Sequence, residues 1–202
     1  MQRNSLSACC FGLAVLLGSA RLSAGETVQT TDPTTQLSTW ETEAHDVHLR
    51  LTQISPEQAR AFMQARGLDE KSVEEFARTC VYMTVLRNDG KAPIKFSMAE
   101  WRYVLRSATD ADAPEQVPQT MLGKHDWLAK WQPRRLSRSV KLAFEWSQFP
   151  FEQTFAPGDW NQGMTTFELP AGSRFDLHVR WHQNGKLREG IVRDVQCPEK
   201  FD

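Results

Sequence analysis

Apolar and polar residues alternate over several stretches of the chain, and this alternation predicts strands with one buried face. Between His45 and Gln53, Val47, Leu49 and Leu51 alternate with His48, Arg50 and Thr52. Cys80 to Arg87 is rich in β-branched and aromatic residues. Val140, Leu142, Phe144 and Trp146 alternate with Lys141, Ala143, Glu145 and Ser147, and Phe175, Leu177, Val179 and Trp181 alternate with Asp176, His178, Arg180 and His182. Turn residues punctuate these runs. Asn88-Asp89-Gly90 predicts a turn into a partner strand near Pro93 to Met98, and Trp101 to Arg106 reads as a further strand. Pro170-Ala171-Gly172 predicts a corner after a short strand at Thr165 to Leu169, and Asn184-Gly185 a hairpin into Lys186 to Gln196.

Helix signals are fewer. Ser55-Pro56-Glu57-Gln58 is an N-cap, a first-turn proline and a capping-box glutamine in the expected order, with Gly67 as the stop. Asp69 or Ser72 opens a second short helix through Ala77, and Gly123 to Trp131 has a short helical pattern ended by Pro133. The expected fold is mainly β: an antiparallel immunoglobulin-like β-sandwich with one or two short helices inserted near the N-terminus. The likeness concerns layering alone, because no Cys-to-Trp-to-Cys spacing or other family fingerprint is present.

The first residues change the picture. Arg3 precedes an apolar run from Ala8 to Leu17, too short to span a bilayer, and small residues follow. Residues 1–24 therefore read as an export signal cleaved after Ala20 or Ala24, residues 25–39 as a flexible Thr/Gln-rich leader, and residues 40–202 as one domain. Cleavage removes Cys9 and Cys10 and leaves Cys80 and Cys197, which in an oxidising compartment pair in only one way. The expected location is outside the cytoplasm, periplasmic if the source is bacterial and secreted otherwise.

A chain of 202 residues with net charge -1 is a poor match for nucleic-acid binding. No nucleophile elbow, HExxH or cofactor motif is present, so an enzyme and a cofactor are not expected. His178 and His182 share a strand face about 13 Å apart, too far for one metal ion without further ligands. Lys130 to Lys141 carries five cations, Arg134 and Arg135 among them, and no acid. The Pro/Gly-punctuated segment Gln148 to Gly163 holds Phe149, Phe151, Phe155 and Trp160 and reads as an aromatic loop. The expected function is an exported, non-catalytic binding protein that engages a protein partner or envelope polymer through this loop, with Arg134 and Arg135 as further contacts. No transmembrane segment is expected in the mature chain. A copper- or zinc-handling accessory protein using His178 and His182 is the alternative, and a small hydrolase a third.

Overall fold

In the computed structural model, which describes residues 25–106 and 117–201, the alternating stretches build two antiparallel sheets. The elements, in order, are β1 (Thr27–Thr31), β2 (Ser38–Ala44), β3 (Val47–Ile54), α1 (Pro56–Gln64), α2 (Glu70–Ala77), β4 (Cys80–Asn88), β5 (Ile94–Ser97) and β6 (Arg102–Leu105). They continue with α3 (Lys124–Lys130), α4 (Arg138–Ser147), β7 (Glu152–Phe155), β8 (Trp160–Phe167), β9 (Arg174–Gln183) and β10 (Lys186–Gln196). The first sheet has the order β1-β2-β3-β4-β8. The second has β10-β9-β5-β7, with β6 also pairing along β9.

The inward faces of both sheets meet in one core. Val47, Leu49, Leu51, Tyr82 and Leu86 come from the first sheet, and Phe96, Phe155, Phe175, Leu177, Val179 and Trp181 from the second. The Cys80–Cys197 disulfide, with Cα atoms 5.2 Å apart, ties the head of β4 to the end of β10. A second apolar cluster lies on the outer side of the first sheet, where Val81 and Met164 meet Met63, Val73, Phe76, Trp127, Trp131 and Phe144 of the helices. The fold is therefore mainly β with four helices, rather than one or two, among the described residues. No helix of the described residues is long and apolar enough to cross a membrane. Residues 1–24, which carry the expected signal, and residues 107–116 lie outside the described residues.

Local signals explain the early elements. Ser55 caps α1 by accepting from the Gln58 amide, while the Gln58 side chain accepts from the Ser55 amide. Asp69 caps α2. His45 and Asp46, both at positive φ, turn β2 into β3, and Asn184 and Gly185 do the same between β9 and β10.

Several expectations are corrected. Val140 to Trp146 forms α4, not a strand: Ser137 caps it by accepting from the Val140 amide, and Val140, Phe144 and Ser147 face the helical cluster at a spacing of three to four residues. Asn88-Asp89-Gly90 is not a hairpin turn. It carries the chain from the first sheet to the second, where β5 pairs with β7 and β9. The 25–39 leader contains β1, whose side chains bury almost nothing. Pairing with β2 orders it, as do the Thr27 hydroxyl bonds to Ile191 O and from the Arg193 amide. Gln148 to Gly163 is two strands and a turn rather than a loop. After α4 the backbone crosses β8 at Gly163, where an added Cβ would lie 2.4 Å from the Phe149 amide nitrogen.

Two stability outcomes follow. Loop-closure entropy for a separation of 117 residues predicts that Cys80→Ala/Cys197→Ala loses about 5 kcal/mol; urea unfolding with and without reductant measures it. In a helical α4, Phe144→Ala costs about 3–5 kcal/mol and Trp146→Ala less than about 0.5 kcal/mol, whereas a strand with both rings on one face would make the two losses similar.

Candidate functional site

The aromatic segment divides into a buried part and one exposed ring. Phe149 and Phe155 are buried, with ring centroids 5.5 Å and 5.4 Å from Phe96, and this removes both from any contact surface. Phe151 is half-buried against the same core and meets His125 edge-on at 5.6 Å. These three rings pack against the core beside β7, and their burial stabilises the fold. Trp160 differs: it begins β8 and is 57% exposed.

Strand register places Trp160 on the outer face of the first sheet. Met164, four residues along the same strand, packs under the helices on that face, so Trp160 shares it beyond the helical cover. Two rows of neighbours cross this uncovered end. One runs Glu43, His48, Arg87, Trp160; the other runs Glu41, Arg50, Val85, Gln162 and reaches Val28 on β1. Five strands spaced about 4.8 Å apart make a platform about 19 Å wide. Its arginines and its histidine each have a carboxylate neighbour. Arg87 Nε is 2.7 Å from Asp89 Oδ1, while Glu41 Oε1 lies 3.8 Å from His48 Nε2 and 3.9 Å from Arg50 Nη1. Burial holds the His48 imidazole below its ordinary value against the pull of Glu41.

The platform end is braced by Asn88. Its buried side chain donates to Ala92 O and Phe155 O, and its backbone accepts from the Gly158 amide at 2.7 Å and donates to Asp159 O at 2.9 Å. Two of the three crossovers between the sheets, β4 to β5 and β7 to β8, are thus pinned to one residue, and Trp160 follows the second of these directly. The chemistry available on the platform is stacking on an indole flanked by a guanidinium and an amide.

The other sequence candidates separate. Arg134 is no free contact: it pairs with Glu75 and donates to Ser72 Oγ at 2.5 Å. Burial raises the Glu75 carboxyl, but hydrogen bonds from Arg134 and Trp131 outweigh this and hold it below its usual range. Lys130 pairs with Glu168 at 2.8 Å. Arg135, at φ 51°, is exposed. His178 and His182 each face a different carboxylate, Glu189 and Glu100, both at 3.3 Å. Among the described residues no group of three or more His, Cys, Asp or Glu side chains could hold a metal ion. His182, Glu100 and Ser97 do line a shallow hollow of about 230 Å³ with Lys95 and Glu152. There the Ser97 hydroxyl accepts from the Ala99 amide, and Lys95 and Glu152 pair at 2.8 Å.

No protein-family model matches the chain, and no curated protein or solved structure matches it. The sequence reading missed the outward face of α4, which carries Leu142 and Trp146. Ser137 was the signal for it, as a cap standing three residues before Val140.

The lowered His48 imidazole has a defined consequence. Folding favours its neutral form, so its contribution is complete above about pH 6.5 and declines as pH falls through the ordinary imidazole value toward the folded one. Chemical denaturation at stepped pH is expected to show a loss of stability as pH falls below about 6.5, the ordinary imidazole value, that His48→Gln reduces.

Proposed function

We propose that this is an exported, non-catalytic binding protein of the cell envelope that lays a glycan strand across the uncovered end of its first sheet. If the source is bacterial its compartment is the periplasm; otherwise it is secreted. The scaffold is immunoglobulin-like in layering, with the helices laid on one sheet. One observation carries the reading. Of the aromatics in the 149–160 segment, Phe149 and Phe155 serve the core and Phe151 is half-buried, while Trp160 stands 57% exposed on a braced, flat strand.

An indole face suits the C–H face of a pyranose ring, and its rigidity keeps the entropic cost of contact low. Arg87 and Gln162 stand beside it to donate to sugar hydroxyls. An open sheet face favours an extended polymer over a small molecule. Because Arg87 and Arg50 already have carboxylate neighbours, the platform suits a neutral chain better than a polyanion. The signal-like pattern read in residues 1–24 and the Cys80–Cys197 disulfide support an extracytoplasmic setting.

Retention on isolated peptidoglycan and on chitin or cellulose matrices tests the reading. Trp160→Ala is expected to weaken retention by about thirtyfold, as central aromatic contacts do, with the unfolding midpoint nearly unchanged. Undiminished retention, or a variant that is strongly destabilised, would sink it.

A further inference from the structure

The second surface is α4. Its inner stripe is fixed: Val140 Cγ2 lies 3.1 Å from where a Cβ on Gly67 would be, and the Phe144 ring sits 4.9 Å from Trp131 and 6.0 Å from Phe76. Helical spacing then places Arg138, Leu142 and Trp146 in one line on the outer side, with Lys141 and Glu145 beside them. Leu142 is 37% exposed and Trp146 83%, and Trp146 makes no ring contact among the described residues. A lone exposed apolar residue needs no explanation, but two at consecutive turns of a capped helix form a patch.

Cations outnumber acids around this patch. Of the five cations between Lys130 and Lys141, Lys130 and Arg134 are ion-paired. Arg138 and Lys141 on the helix, and Arg135 just before its cap, are exposed and have no carboxylate partner among the described residues. Glu145, half-buried, is the only acid on the helix. A Trp and a Leu on one line with unpaired Arg and Lys at its margin is the composition of a helix that lies in a membrane interface.

We infer that the outer face of α4 docks on an anionic phospholipid bilayer. Trp146 and Leu142 enter the boundary between headgroups and acyl chains, and Arg135, Arg138 and Lys141 contact lipid phosphates. The charge of the margin selects the occupant: unpaired cations flank the apolar pair on a convex helix, and a fluid anionic surface fits it without a matching groove. About 12 Å of helix separates Arg138 from Trp146, so attachment is shallow and reversible. The inference does not depend on the glycan reading, since Trp160 takes no part in it.

The test is sedimentation with phosphatidylcholine vesicles, pure or doped with phosphatidylglycerol. The protein used begins at Gly25 and so carries both apolar clusters and the disulfide. Binding is expected to the doped vesicles at about 0.1 M salt and to fade near 1 M, where screening shortens to about 3 Å. Leu142→Ser/Trp146→Ser is expected to abolish it, and Arg138→Gln and Lys141→Gln to weaken it about fivefold each. Trp160→Ala is expected to bind vesicles as the parent does, which separates this surface from the glycan platform. No binding to the doped vesicles, equal binding to pure phosphatidylcholine, or full binding by the Leu142→Ser/Trp146→Ser variant at an unchanged unfolding midpoint overturns the inference.

Discussion

The rest of the structure depends on an aromatic seam between the two sheets. Tyr82 stands at its centre, edge-on to Trp40, Phe167 and Phe175 at 6.1, 5.7 and 6.1 Å, and Tyr103 meets the last two from the second sheet. A buried phenol must find an acceptor, and the Tyr82 hydroxyl donates to Gln196 O at 2.7 Å. Gln53 donates to the same carbonyl from β3. Burial raises the Tyr82 phenol well above its ordinary value, so it stays a donor. Because Gln196 precedes Cys197, the hydrogen bonds and the disulfide fix β10 against the first sheet at one place.

The remaining geometry follows from that lock. With the sheets held in register at the disulfide end, the crossovers at the far end need only one brace, which Asn88 supplies. The helices cover the outer side of the first sheet around Val81 and Met164, where Trp127 also donates to Thr166 at 2.8 Å. They stop short of Arg87 and Trp160. One side of the molecule is thus divided into an open platform and a helix-covered part, and α4 adds its own exposed face to the second. The two surfaces differ in chemistry, one an open sheet face whose arginines have carboxylate neighbours, the other a convex helix with unpaired cations.

Much of this was legible in the residue order. The period-two runs at Val47–Leu51 and Phe175–Trp181, the caps at Ser55 and Asp69, the Asn184-Gly185 turn and the cysteine pairing rest on interactions between near neighbours or on elimination. The α4 segment was not, because Val140, Leu142, Phe144 and Trp146 satisfy a strand period while Val140, Phe144 and Ser147 satisfy a helical one. Helix N-capping by Ser137 and packing on Phe76 and Trp131 decide between them, and the second of these is tertiary.

Side-chain chemistry and local backbone preference are enough to fix which residues are apolar, where the chain turns and which sulfurs can join. Only the tertiary structure decided that Phe149 and Phe155 are core while Trp160 is surface, and that His48 and Arg87 stand in its row. Strand partners forty and seventy residues apart are chosen by the burial of a shared core, and no local pattern records that choice. The same holds for the cations between Lys130 and Lys141: identical in charge along the chain, they are separated into paired and free only by whether Glu75 and Glu168 are brought within reach.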